Sequence, residues 1–366
     1  MKNIKIIIIT ILTSIFLTAC WDSVEINKRE YIFAVGIDKN DKNLTFTAEI
    51  PKINEGSEEQ RLVYTKDSAN FADFYATSYL HSEKAISDRL MQVIVLGEDL
   101  ARDAETVKRI FDEIQRSPQM NRRVKICIAK GKAQDIINTE IPSNPIVGRF
   151  LSEMLIKLKR ENYQDVYTFD EAILNLGKTG NTMVPVVEAN EKSLKIERAG
   201  VFKEYELKGF LEPDEVAAVM VVLNPDKAKI RNVNIMVEGT NVSLGVVDII
   251  MTTDMNISGD KLTVDYYATL NSYIDSFIIG SNKLEDQSYL NKIKEEAIKS
   301  ILTVSESTLD KLQQVYKTDL LKIKEDLFKY HKQDYEKISD KYDEIFEAAD
   351  INIHLDMVIK STGLVK

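Results

Sequence analysis

The chain is poor in the residues that most often carry chemistry. It has two cysteines, three histidines and one tryptophan in 366 residues. Two cysteines are too few for a disulfide scaffold. One tryptophan and 14 glycines leave little room for an aromatic stacking platform or for glycine-rich phosphate loops. Positive charge is also in deficit: 48 Lys and Arg stand against 58 Asp and Glu, a formal net charge of −10. A nucleic-acid binder shows a basic face, so that class of partner is excluded. Apolar residues are not scarce. They make up 44% of the chain, which rules out wholesale disorder. Single cores stop growing near ~250–300 residues, so this length implies more than one domain.

The first residues read as an export signal. Met1, Lys2 and Lys5 make a short positive start, and Ile6 to Leu17 is an apolar run interrupted only by Thr and Ser. A membrane span needs about 20 apolar residues, so this run is short for an anchor and suits a signal peptide. Leu17-Thr18-Ala19-Cys20 follows at once. Small residues before a Cys at that place form a lipobox: the peptidase needs small side chains ahead of the cut. The Cys20 thiol then becomes a thioether to diacylglycerol. Residues 1–19 are therefore expected to be a cleaved signal peptide and Cys20 the lipid-attachment site. Two or more acyl chains, palmitate among them, hold such a protein stably on the outer side of a membrane, where one chain is marginal. Trp21 either sits at the headgroup level or packs on the first domain.

Cys127 is then the remaining thiol. It lies in the strand-like run Val124 to Ala129 and reads as a small buried hydrophobe. A nucleophile would need a histidine close by, and His81, His331 and His354 are scattered.

Tyr31 to Ile37 and Leu44 to Ile50 read as strands joined by a turn at 38–43. That turn is no EF-hand: Lys42 and Asn43 stand where the loop needs an oxygen ligand and a glycine. Residues 51–68 read as a loop, and Ser68 to about Arg89 as a helix. Strand Gln92–Leu96, helix Asp99–Arg116, strand Arg123–Ala129 and helix Ala133–Ile137 then alternate, which predicts a mixed α/β sheet. Helices are expected at Val147–Asn162 and at Asp170–Leu176, the latter closed by Gly177. Gly177-Lys178-Thr179 invites a phosphate-loop reading. Ala172 stands where that motif needs its first glycine, and a helix rather than a strand precedes it, so a helix cap is the better reading.

Short strands at Met183–Val187, Leu194–Phe202 and Glu206–Phe210 precede a helix opened by Pro213. Strands at about Val233–Glu238, Val242–Ser258 and Lys261–Ser276 follow, the last with Leu262, Val264, Tyr266, Ala268 and Leu270 on one face. From Ser281 to Thr362 there is neither Gly nor Pro. A long amphipathic helix is expected there, bent near Thr303 to Ser307, then a second at Gln333–Ala348 and a strand at Ile351–Ile359. The fold class is α+β with three distinct domains. They are a mixed α/β domain at 20–180, a small β-rich domain at 181–228, and an antiparallel sheet with a long helix at 229–366.

No constellation here runs a reaction: there is no histidine pair at metal spacing, no nucleophile elbow and no glycine-rich loop before a helix. The reading is of a non-enzyme without cofactor or metal.

The ordered pattern resembles the Ger(x)C spore germination family, the lipoprotein C subunits of GerA-type germinant receptors. The resemblance lies in Cys20-Trp21-Asp22, Glu25-Ile26, Gly36-Ile37-Asp38-Lys39, Val95-Leu96-Gly97-Glu98 and Ala129-Lys130-Gly131-Lys132-Ala133. It continues in Gly200-Val201-Phe202-Lys203, Leu207-Lys208-Gly209-Phe210-Leu211, Ile345-Phe346 and Gly363. Two departures stand out: Tyr342 and no proline in the C-terminal helical region, and Ala34-Val35-Gly36 where a Gly-x-Gly run is common. The resemblance implies three α+β domains and a peripheral subunit partnered by two integral membrane subunits in the spore inner membrane. It implies a response to small nutrients followed by release of ions and dipicolinate, and leaves open whether this subunit touches the nutrient. Of the family's residues, only Cys20 carries over as a site. The rival is a solute-binding lipoprotein feeding a transporter, which needs two similar lobes around a cleft. A tethered enzyme is the third option.

Overall fold

A computed structural model describes residues 29–41, 43–52, 60–79, 84–117, 120–227, 233–276 and 282–361. The expected signal peptide, Cys20, Trp21 and His81 lie outside them. Strands β2 (Ala34–Lys39), β3 (Leu44–Lys52), β4 (Gln60–Ser68), β6 (Val93–Leu96) and β7 (Lys125–Ala129) form one sheet with β8 (Asn181–Asn190), β9 (Ser193–Lys203) and β10 (Glu206–Leu211). Its order is β10-β9-β8-β7-β6-β2-β3-β4. The four central strands are parallel, and antiparallel hairpins extend both edges. A parallel pair of β1 (Arg29–Tyr31) and β5 (Ala85–Ser87) stands apart.

The central strands read as unbroken apolar runs because both faces are covered. Ile94, Leu96, Ile126 and Ile128 pack on one side with α1 (Phe71–Tyr79), α3 (Ala104–Arg116) and α6 (Phe169–Thr179). Val93, Val95, Cys127 and Ala129 pack on the other with α4 (Ala133–Asn138) and α5 (Val147–Arg160). The short α2 (Glu98–Ala101) links β6 to α3.

Three local expectations are corrected. Gln60–Ser68 is an edge strand rather than loop, paired with β3 along its length. Charge is common on edge strands because it blunts further pairing, and here it hid the alternation. The helix expected to reach Arg89 ends at Tyr79, and Ala85–Ser87 turns to pair with the distant Arg29–Tyr31. Gly177 lies inside α6; the left-handed cap is Gly180, at φ 76°.

The segment 181–211, expected as part of a separate small unit, adds three strands to the same sheet through Ile128–Val186 and Ala129–Val187 pairing. Its side chains serve three cores, with Val187, Leu194 and Ile196 on the side of α4 and α5. Val184, Val186, Phe202 and Leu207 join the core on the side of α1, α3 and α6, and Met183, Ala199, Val201 and Leu211 join a core shared with the C-terminal elements.

Strands β11 (Val233–Val237), β12 (Thr240–Ser258), β13 (Lys261–Ser276) and β14 (Asp350–Ser361) form the second sheet, in that order. The β13–β14 pair is parallel and the others antiparallel. The face of β13 picked from sequence, Leu262 to Leu270, is buried throughout. Helix α7 (Pro213–Leu223) packs against this sheet, and α8 (Gln287–Asp310) lays Tyr289, Ile293 and Ala297 on it.

The expected bend at 303–307 is absent, because α8 runs unbroken to Asp310. The interruption is a π-helical turn at Lys311–Tyr316 closed by Lys317 in the left-handed region, φ 52°. The shorter α9 (Ile323–Tyr330), α10 (Lys332–Ile338) and α11 (Tyr342–Glu347) follow. The second helix expected over 333–348 is therefore split, with a 3₁₀ turn at Ser339–Lys341.

Candidate functional site

Cys127 is fully buried, and its Sγ lies 3.9 Å from the Ile94 carbonyl oxygen. Burial pushes the thiol well above its usual range, so the nucleophilic thiolate is disfavoured. His354 lies on the exposed face of the second sheet, where its Nε2 is 2.9 Å from Asp265 and its ring stacks on Tyr267 at 4.5 Å. His331 lies between α9 and α10. Among the described residues no three His, Cys, Asp or Glu side chains are placed to hold a metal.

Buried carboxylates carry the local order that sequence reading missed. Asp38, placed by sequence in a turn, accepts from the backbone N–H of Ala133 and Gln134 at 2.8 and 2.9 Å. Glu49 accepts from Val147 and Gly148, both at 2.6 Å, and from Arg61 at 3.0 Å. Asp319 accepts from Ile323, Lys324 and the Tyr342 hydroxyl at 3.2, 2.8 and 2.7 Å. Each carboxylate satisfies orphan donors at the start of a helix; Asp38 and Glu49 do so across 95–99 residues, which sequence spacing alone does not reveal, whereas Asp319 caps the helix that starts four residues on. Burial holds all three above the usual carboxylate range.

The recognisable central segment, 200–211, forms the junction between the two sheets. The π turn docks on it. The Tyr316 hydroxyl donates to the Phe210 carbonyl at 2.8 Å, and Lys311 Nζ reaches the same carbonyl and Glu215. Lys203 Nζ donates to the Lys317 carbonyl at 2.7 Å. Gly209 lies directly under the Tyr316 ring: a Cβ there would stand 2.5 Å from Cε1. The glycine is required by this close approach.

The second sheet leaves one face open. Met236, Ile250, Tyr267 and Val358 alternate with buried neighbours and are 43–64% exposed. An antiparallel sheet commonly turns polar residues to water on such a face. Large apolar side chains there mark an interaction surface when they cluster. The two sheets also differ in size and strand direction, unlike the paired lobes of a solute-binding protein. Among the described residues, no helix is long and apolar enough to cross a membrane.

Comparison with known proteins decides the family. Residues 22–189 match the spore germination protein N-terminal domain, and residues 197–363 match the spore germination B3/GerAC-like C-terminal domain. The chain belongs to the GerAC family of spore germination proteins. Spore germination protein B3 of Bacillus subtilis (strain 168) is 22% identical, with 95% of each chain covered. Spore germination protein KC of the same organism is 22% identical over 98% of this chain and 95% of that one. The match to YfkR from that organism, 24% identical, spans 61% of this chain and 62% of that protein. The crystal structure of the GerBC protein superposes with a TM-score of 0.60 at 18% identity, covering 89% of this chain and 96% of that one. Membership of the GerAC family ties the chain to spore germination, and the GerBC likeness shows its fold.

Proposed function

We propose that the chain is the lipid-anchored peripheral subunit of a nutrient germinant receptor, working with two integral membrane subunits. The single observation that carries this reading is the match to both spore germination domain families, in order and over nearly the whole chain. Cys20 is the attachment site, and residues 1–19 are the signal removed before acylation. Anchoring confines the protein to the outer face of the spore inner membrane. That confinement raises its effective concentration near its partners, so weak contacts assemble stably. The open face around Ile250 and Tyr267 is the docking surface for the integral subunits. The reading requires no catalysis.

Spores lacking the gene are tested for dipicolinate release across a panel of nutrients. Loss of response to one nutrient class, with pressure or detergent triggers intact, is the expected result. Cys20→Ala, still exported, is expected to leave the membrane fraction and reproduce that loss. Normal germination with the substituted protein would remove the anchoring argument.

A further inference from the structure

An apolar cavity of about 390 Å³ lies between α7, α8 and the second sheet. It separates two cores: Tyr266, Leu309 and Leu312 belong to one, and Leu270, Ile293 and Ala297 to the other. Along α8, Ala297 and Thr308 are buried, yet no residue from Ile298 to Ser305 is. The apolar stripe nevertheless continues there as Ile301 and Val304, which line the cavity. The helix keeps an apolar face where the sheet does not close against it.

Helix α7 is the facing wall. It is apolar on nearly every side. Val216, Val219 and Met220 enter the core, and Ala217, Ala218 and Val221 remain half-buried toward the cavity. A helix with no polar face is normally enclosed on all sides. A second cavity of about 440 Å³ lies between α7 and α5. Tyr163, Pro213, Ala217 and Val221 line both, so the two cavities form a trough bent around α7.

Protein cores pack to crystal-like density with few voids larger than a water molecule. Apolar cavities stay dry and admit apolar guests. Both cavities fall in the size range of ligand pockets. An elongated, bent apolar channel suits a flexible chain better than a rigid ring system. The second cavity is also lined by Lys157, an exposed residue in the basic last turn of α5. Glu197 on the same cavity is ion-paired with Lys195 at 2.6 Å.

We propose that this trough binds a single acyl chain, with its anionic head at Lys157. The chain enters along Ala217 and Val221 and ends against Ile301 and Val304. The same chemistry is offered by a free fatty acid or by one chain of an anionic membrane lipid.

The purified full chain is titrated with dodecanoate, and separately with phosphatidylglycerol and phosphatidylcholine vesicles. Saturable binding is expected. Ala217→Phe adds bulk to the wall shared by both cavities and is expected to weaken binding about tenfold or more. Val304→Phe blocks from the opposite wall and serves if the first variant loses its fold by circular dichroism. Lys157→Ala is expected to weaken dodecanoate while leaving dodecanol unchanged. Binding of dodecanoate that these variants remove assigns a free acid. Retention only on phosphatidylglycerol vesicles, lost in the same variants, assigns a membrane lipid. No binding in either arm overturns the proposal, as does binding that both bulky substitutions leave intact. These readouts do not depend on germination, so their failure is separate from failure of the receptor reading.

Discussion

Asp319 shows how much order one buried side chain imposes. It serves two backbone donors of α9 and the buried Tyr342 hydroxyl. Asp319→Ala strands all three donors, and each unsatisfied buried group costs about 1–3 kcal/mol. A clear fall in the urea midpoint is expected, with Asp319→Asn, which keeps an acceptor oxygen, less affected. Asp103 illustrates the opposite electrostatic case. The hydrogen bond from Lys39 and the backbone N–H of Thr106 hold it down to about 2. A carboxylate with a depressed folded-state pKa stabilises above its ordinary value, and that contribution is lost as pH falls through the folded value. The carboxylate is partly exposed and screened, so the capping role sets the size, about 1 kcal/mol. Asp103→Ala should therefore lower stability at pH 7, and its difference from the parent should shrink between about pH 4 and pH 2. Thermal unfolding at the two ends of that window checks it.

At the scale of elements, the π turn and the 200–211 segment are matched to one another. The turn presents Leu312, Gln313 and Tyr316 to the core. All three are buried, and Gln313 Nε2 donates to the carbonyls of Phe346 and Ala349. The extra residue in the turn is held by these contacts. Gly209→Ala would press a methyl group into the Tyr316 ring and should cost about 1–3 kcal/mol, as overpacking does. Tyr316→Leu gives up the hydroxyl bond to Phe210 but removes the clash. The double variant should therefore lose less than the two single losses added, and a double-mutant cycle in urea measures that coupling.

For the whole molecule, the two sheets do different work. The eight-stranded sheet is covered by helices on both faces, whereas the four-stranded sheet keeps one face open. Ile250→Asp and Tyr267→Asp change exposed positions. Their effect on stability should stay within about 1 kcal/mol each, Tyr267→Asp also giving up the stack on His354. In spores the same pair should reduce nutrient-triggered dipicolinate release. Unchanged release from a stable double variant would place the docking surface elsewhere.

The amino-acid order by itself determined most of the elements and the family. Central strands such as Val93–Leu96 are continuous apolar runs, helices such as α3 carry a clean apolar stripe, and turns are written in Gly, Asn and Asp. These signals are local, so period and turn chemistry expose them. The lipobox proposed around Cys20 likewise rests on a short contiguous pattern. Only tertiary structure decided that 181–211 shares a sheet with 34–129, that Gln60–Ser68 is a strand, and that α8 breaks at 311 rather than near 303. It also decided that Asp38 and Glu49 close helix ends far away in the chain, that Asp319 meets the Tyr342 hydroxyl, and that Gly209 lies beneath Tyr316. Strand pairing, helix capping by remote carboxylates and ring-on-glycine contact are all long-range. Their free energy depends on which surfaces meet, and no window of neighbouring residues records that.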